Sequence, residues 1–359
     1  MKIGLIGLAN SGKSTIFNAL SGAEVETAPY ASMKDEPHLS VIDVADERID
    51  WLSAHYEPKK TIYAQIELVD FAGLTEGAAR SGLFPPQSMA QIKTADALAL
   101  IVRNFHEPTI DQAQGDPDPL SDIEQIETEL VLSDMIVIEN RLERIEMSYK
   151  RGVKTNEVQQ EEKLLRVAHE WLEGGRPLRD LEMQGDEEKI LRGFQFLSQK
   201  SLLVVLNSGE EEFGQSGDII ESLEQTRQVI EFAGQFEMEL AGLDEEEAKV
   251  FMEDLGITES ARSRLTHMAY HLLGYISFFT VGKDEVRAWT IRRGDKALDA
   301  AGRIHSDLAR GFIRAEVFTY KDLHELGSEK ALREKGLFRL EGKEYVVKDG
   351  DIVHVRFNV

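Results

Sequence analysis

The chain has 359 residues, 42% hydrophobic and 30% charged, a balance that suits a folded protein with more than one core and excludes a disordered chain. Its 41 Lys/Arg against 65 Asp/Glu leave a net charge of −24, which argues against bulk attraction to DNA or to an anionic membrane surface. Cysteine is absent, so disulfides, thiolate zinc sites and cysteine nucleophiles are excluded, and a reducing, cytoplasmic setting is expected.

Met1 to Ala9 is a short apolar stretch leading straight into Asn10-Ser11-Gly12-Lys13, and it reads as a first strand rather than a cleaved leader. Lys2 to Ile6 is that strand, a glycine loop follows, and a helix is expected from about Lys13 to Leu20. Ile66 to Val69 is a second strand ending in Asp70; Ala97 to Val102 and Ser201 to Leu206 are two more, almost wholly apolar. Such runs suit parallel strands buried on both faces, so the predicted fold class is α/β, a doubly wound P-loop domain.

About a hundred residues separate the last two of these strands, far more than a crossover needs. Ile123, Ile126 and Leu130 repeat at helical spacing, as do Ile138, Leu142, Ile145 and Tyr149; a second helix runs through Leu164, Ala168 and Trp171. The spacing predicts an inserted antiparallel helical hairpin turned at the basic segment Lys150 to Lys154. Another helix is expected over Glu259 to Leu273. Beyond it lies a small α+β unit, with strands at Ile276 to Thr280, Arg287 to Ile291, Phe312 to Val317, Glu344 to Val347 and Ile352 to Phe357, and helices at Ala297 to Leu308 and Tyr320 to Leu326. Residues 281–359 hold 16 Lys/Arg against 14 Asp/Glu, a near-neutral tail on an acidic body. The expected domains are 1–120 with 196–275, an insert at 121–195, and a C-terminal unit at 276–359.

Gly7-Leu8-Ala9-Asn10-Ser11-Gly12-Lys13-Ser14-Thr15 fits the P-loop pattern G-x-x-x-x-G-K-[ST] in full. Its glycines let backbone N–H groups wrap phosphates, so Asn10 to Thr15 are expected to contact nucleotide. Lys13 supplies a charge for the β- and γ-phosphates, and Ser14 a hydroxyl for Mg²⁺. Asp70-Phe71-Ala72-Gly73 follows the second strand: the acid is placed to hold the Mg²⁺ shell, and Gly73 to offer its N–H to the γ-phosphate. Asn207-Ser208-Gly209-Glu210 closes the fourth strand at the sheet edge where a base would lie. Asn207 can fix the loop or meet the base. Glu210 stands where guanine readers place Asp, one methylene longer.

These elements in this order resemble the translational GTPase class, and the rest of the chain is similar to the YchF (Obg-like ATPase) family. The resemblance rests on Gly7 to Thr15, on Asp70 with Ala72-Gly73-Leu74, on Asp122-Ile123-Glu124, on Asn207 with Glu210, and on Asp254-Leu255-Gly256. It continues through Val286 to Ile291, Gly311 to Val317 and Arg356 to Val359. It implies a Ras-like domain, an inserted helical coiled-coil domain and a C-terminal TGS domain of ubiquitin-like fold. It further implies preference for ATP over GTP, slow hydrolysis and association with ribosomes. Leu74 stands where Ras-type switches carry the glutamine that orients water, and a leucine cannot hydrogen-bond to it. In related switches an asparagine at the position of Asn10 helps hold K⁺.

Where the family reads Tyr-Pro-Phe-x-Thr-Ile-Glu-Pro-Asn, this chain has Tyr30-Ala31-Ser32-Met33-Lys34-Asp35-Glu36-Pro37-His38, so Lys34 replaces the threonine that would ligate Mg²⁺. Leu83-Phe84-Pro85-Pro86 replaces a glycine-rich second switch. Nucleotide binding is expected to survive both changes, and hydrolysis to suffer. Lys150, Arg151 and Lys154 at the hairpin tip, with Arg287, Arg292, Arg293 and Arg314, are candidate rRNA contacts. His267 and His271 have the i, i+4 spacing of zinc ligands without a third, and packing is the expected role.

Overall fold

The computed structural model describes residues 1–22, 38–71, 90–243, 245–254 and 259–358. Twelve strands are present among them: β1 (Lys2–Ile6), β2 (His38–Asp43), β3 (Lys60–Ile62), β4 (Gln65–Asp70), β5 (Ala97–Asn104), β6 (Ser201–Ser208), β7 (Gln228–Ala233), β8 (Tyr275–Thr280), β9 (Glu285–Arg292), β10 (Phe312–Thr319), β11 (Arg339–Glu341) and β12 (Asp351–Phe357). They form two six-stranded sheets, in the orders β2-β4-β1-β5-β6-β7 and β11-β10-β12-β8-β9-β3.

In the first sheet β4, β1, β5, β6 and β7 are mutually parallel. β5 and β6 are buried almost end to end, as strands covered on both faces must be. Leu98, Leu100, Val102, Leu202, Val204 and Leu206 pack with Ile123, Ile126 and Leu130 of the following helix. The register sets Leu5 of β1 beside Asp70 of β4 and Asn207 of β6 beside Phe232 of β7, so the motif residues share one edge of the sheet, the carboxyl end of its strands.

The predicted hairpin is formed by Pro119–Lys150 and Asn156–Glu173. Asp118 caps the first helix by accepting from the Ser121 N–H at 3.1 Å, with Pro119 at its first position where no N–H is needed. Gly152 takes φ 83° in the turn, and Thr155 caps the second helix. Ile138, Ile145, Leu165, Ala168 and Leu172 form a shared core with Leu178, Leu191 and Phe196. At the root, the buried Glu127 carboxylate receives hydrogen bonds from both Arg179 and Arg227.

The chain divides into two compact units, 1–41 with 67–262 and 42–66 with 263–359. The expected first domain therefore gives up residues 42–66 and 263–275, and the hairpin stays within the first unit. The physical reason lies in the helix Glu47–Tyr56. Its Arg48 guanidinium binds Asp46 and, at 2.7 Å, Asp349; Tyr56 donates to Glu329 at 2.8 Å; and the Trp51 ring meets Tyr320 edge-on at 5.6 Å. β3 pairs in parallel with β9. The second unit's core gathers Phe278, Ile291, Ala300, Ala301, Phe312, Val317 and Val353.

Four expectations need correction here. Glu344 to Val347 is no strand: Val346 makes a single bridge to Lys296, while the Tyr345 hydroxyl is drawn to Asp351 at 2.7 Å. The helix at Ala297 breaks at His305, whose extended backbone and Nδ1, accepting from Asp307 N–H, start a separate turn at Ser306–Arg310. β2, β3, β7 and β11 were not foreseen as strands. The helix expected from Glu259 begins at Ala261.

Candidate functional site

β1 ends at Ile6 and the chain turns through Gly7 to Gly12 into the helix Lys13–Ser21. Gly7 permits a close approach: a Cβ there would lie 2.5 Å from the Ile101 carbonyl oxygen of β5. Asn10 (φ 65°) and Gly12 (φ 83°) both take left-handed backbone, which curls the loop back over the helix start. Among the described residues the amides of Gly12, Lys13, Ser14 and Thr15 have no acceptor, and Ser11 Oγ is buried without a hydrogen-bond partner. A ring of free donors at a helix start fits a polyanion such as a triphosphate.

Lys13 and Asp70 are both buried, 8% and 4% exposed, and the Lys13 ammonium is bonded to Asp70 Oδ1. Ser14 donates its hydroxyl to the other oxygen, Oδ2, at 3.3 Å. A hydroxyl and a carboxylate at this separation are a hard-oxygen pair that fits Mg²⁺. His38, the first residue of β2, places Nδ1 3.7 Å from the same Oδ2. Sequence reasoning did not single out His38 as a site residue, because nothing local indicates that β2 and β4 are neighbours in the sheet.

Asn207 lies under the loop. Its side-chain N–H donates to the Ser11 carbonyl at 3.0 Å, and its oxygen accepts from the Gly234 N–H at 3.2 Å. Both glycines are needed for this wedge: a Cβ on Gly12 would lie 2.0 Å from Asn207 Nδ2, and one on Gly234 2.3 Å from Oδ1. Of the two alternatives for Asn207, these contacts support fixing the loop. Glu210 is exposed in the turn after β6.

Beneath that turn is a buried polar network that the sequence did not announce. Ser208 and Ser216 each donate to Glu231 Oε1 at 2.6 Å, Gly214 N–H donates to Oε2 at 3.1 Å, and the Asn104 amide reaches both serine hydroxyls at 2.8 Å. It holds both ends of the 209–216 loop. Phe105, directly after β5, is half-buried between the P-loop and this turn, with Cε1 3.7 Å from a Cβ position on Gly12 and Cβ 3.6 Å from one on Gly209.

The structure thus brings Asn10 to Thr15, Asp70 and Asn207 to one sheet edge. Gly73, Leu74, Lys34, Ser32 and Leu83 to Pro86 lie outside the described residues. His267 places Nε2 3.0 Å from the Ala45 carbonyl oxygen, a contact that fits a packing role. Among the basic candidates Lys154 lies over the Tyr149 ring at 5.1 Å and Arg287 over Trp289 at 4.1 Å, while Lys150 and Arg151 are exposed. Among the described residues no helix is long and apolar enough to cross a membrane.

Comparison with known proteins agrees with this geometry. A family model described as a 50S ribosome-binding GTPase matches residues 2–141. A second, for the C-terminal part of YchF GTPases and described as a protein of unknown function, matches residues 275–358. The chain is 39% identical over 365 residues to the ribosome-binding ATPase YchF of Bacillus subtilis, covering 99% of each, and 37% identical to that of Haemophilus ducreyi, covering 100% of this chain and 99% of the other. Its structure is similar to that of the Schizosaccharomyces pombe YchF GTPase, with TM-score 0.84, 32% identity and coverage of 99% and 97%.

Proposed function

The chain belongs to the YchF family of P-loop nucleotide-binding proteins, and from that premise we propose that it binds ATP, and GTP more weakly, with Mg²⁺, hydrolyses it slowly to diphosphate and phosphate, and works on the ribosome. The observation that carries the reading is the convergence of Lys13, Ser14 and Asp70 beside four amides that meet no acceptor among the described residues. Asn10, Ser11, Gly12, Lys13, Ser14 and Thr15 cradle the phosphates, and Gly73 senses the γ-phosphate. On nucleotide entry Lys13 exchanges the Asp70 carboxylate for phosphate oxygens, which frees the carboxylate for the metal's water shell. Bound Mg²⁺, held by Ser14 and through water by Asp70, would neutralise charge on the β- and γ-phosphate oxygens.

Several features support the finer assignments. Glu210 is longer than the aspartate of guanine readers and is exposed beside the sheet edge, which favours adenine over a bidentate grip on guanine. Asn207 acts on nucleotide through the loop it fixes and leaves the reading of the base to Glu210. Phe105 flanks the space a base would enter. Asn10 presents its amide from a left-handed backbone at the loop crest, the place proposed for K⁺. We read the helical hairpin as the coiled-coil domain and the C-terminal sheet as the TGS domain, with Lys150, Arg151, Lys154, Arg287, Arg292, Arg293 and Arg314 as their surfaces for rRNA. The relatives named as ribosome-binding ATPases support that partner.

A second reading is favoured by Lys34 and Leu74: a nucleotide-gated binding module with negligible hydrolysis. Calorimetric titration of ATP against GTP, with Lys13→Ala as control, tests the base. Tight ATP binding lost in the variant supports the proposal, and a strong GTP preference makes the protein a GTPase instead. Single-turnover phosphate release with and without ribosomes separates slow hydrolysis from none.

A further inference from the structure

We propose that His38 is a nitrogen ligand of the divalent cation at this site and that it shifts the site's preference from Mg²⁺ towards first-row transition dications such as Mn²⁺. The inference rests on the reading of the P-loop as a nucleotide-metal site and adds the identity of the metal.

Asp70 Oδ2 faces two donors, Ser14 Oγ at 3.3 Å and His38 Nδ1 at 3.7 Å, while Lys13 holds Oδ1. Adjacent ligand atoms on an octahedral ion, each about 2.1 Å from the metal, lie about 3 Å apart. Ser14 Oγ and His38 Nδ1 both face Asp70 Oδ2, so an ion carried by the Ser14 hydroxyl beside that oxygen lies within reach of the imidazole after a shift of the exposed ring. The Asp70 side is anchored in the sheet interior, with the carboxylate 4% exposed. His38 is the movable partner: it is 46% exposed, and among the described residues its ring meets Phe17, tilted, at 6.2 Å between centroids.

The chemistry gives the ring a consequence. Hydroxyl, carboxylate and phosphate oxygens suit Mg²⁺, which demands hard ligands and keeps its waters. Imidazole is a borderline donor that gains little on Mg²⁺ and more along the series from Mn²⁺ to Cu²⁺. One nitrogen in an otherwise oxygen set changes which cation wins without abolishing the site. An ion pair between His38 and Asp70 alone would leave the metal preference unchanged, so the two roles give different results.

The test uses the full chain with ADP as the nucleotide. Calorimetry first establishes ADP binding with Mg²⁺. Pulsed EPR of the Mn²⁺·ADP complex then compares protein made with natural and with ¹⁵N-labelled histidine, which separates an imidazole ligand from adenine nitrogens without any mutation. The expected result is a nitrogen modulation that changes with the label and vanishes in His38→Asn, whose amide oxygen falls near the place of Nδ1. The Mn²⁺-over-Mg²⁺ affinity ratio should drop roughly tenfold or more in that variant. Bound Mn²⁺·ADP with no label-sensitive modulation, or an unchanged ratio in His38→Asn, overturns the proposal. Absence of ADP binding in the parent protein would instead bring down the nucleotide reading beneath it.

Discussion

Asn207 donates a side-chain hydrogen bond to the carbonyl oxygen of Ser11 at 3.0 Å, although 196 residues separate them in the chain. With the Gly234 N–H on its oxygen, the amide ties the phosphate loop to the ends of β6 and β7. Among the described residues both of its side-chain hydrogen bonds are to backbone, so its effect on nucleotide should be blind to the base. In Asn207→Ala, ATP and GTP affinities are expected to fall together by about tenfold, with an unfolding cost of about 1–3 kcal/mol from the unpaired backbone groups. Paired titrations of both nucleotides check this. A change in the ATP-to-GTP ratio would return Asn207 to base reading.

Gly234 tests the same wedge from the far side. It begins the helix Gly234–Leu240 after β7 and is no part of the phosphate loop motif. A Cβ there would lie 2.3 Å from Asn207 Oδ1 and 2.8 Å from Ile16 Cδ1, so something must shift. Gly234→Ala is expected to cost about 1–3 kcal/mol in stability and to weaken nucleotide binding through displaced Asn207. Melting and titration on one preparation measure both. Gly217→Ala, where nothing lies within 4 Å of an added Cβ, serves as the control.

The phosphate loop was legible because its chemistry is local: spacing alone places Gly7, Gly12, Lys13 and Ser14. Strands β1, β5 and β6 were legible as continuous apolar runs. β7 was not, because Glu231 interrupts Val229, Ile230 and Phe232, and the partners that make its burial tolerable, Ser208, Ser216 and Gly214, come from 15 to 23 residues earlier. The allegiance of residues 42–66 was hidden for the same reason on a larger scale. A three-residue strand finds its partner β9 some 225 positions away, and Arg48 meets Asp349 across 301. Tyr345-Val346-Val347 misled in the other direction: the apolar run suggested a strand, while the tyrosine hydroxyl is held by Asp351.

Glu127 should behave as the fixed root of the helical hairpin. Its two oxygens are divided between Arg179 and Arg227, and the side chain is 11% exposed. Removing the negative charge leaves two guanidinium groups facing each other with little water, the case in which a broken ion pair is expensive. Glu127→Gln is expected to destabilise the protein by about 3–5 kcal/mol, read by urea denaturation. A cost below about 1 kcal/mol would show that the group behaves like an exposed pair.

Asp134 ties the same long helix to the segment entering β6, accepting N–H bonds from Leu197 at 2.8 Å and Ser198 at 2.7 Å. Burial pushes its carboxyl from 3.8 up to about 6, against the pull of those bonds and of Lys93. The sign follows from which state binds the proton. Between pH 4 and 6 an unfolded Asp134 ionises while the folded one stays protonated, so this group's contribution is full below pH 4 and is lost as pH rises through 6. The shift corresponds to about 3 kcal/mol. Asp134→Asn removes the titration but offers one oxygen to two N–H groups, a cost of about 1–3 kcal/mol at every pH. Melting temperatures of parent and variant from pH 4.5 to 7 should therefore differ most at the acid end and converge towards neutrality, as the parent loses the protonated form. A constant gap across that range would mean that Asp134 ionises in the folded protein at its ordinary pH.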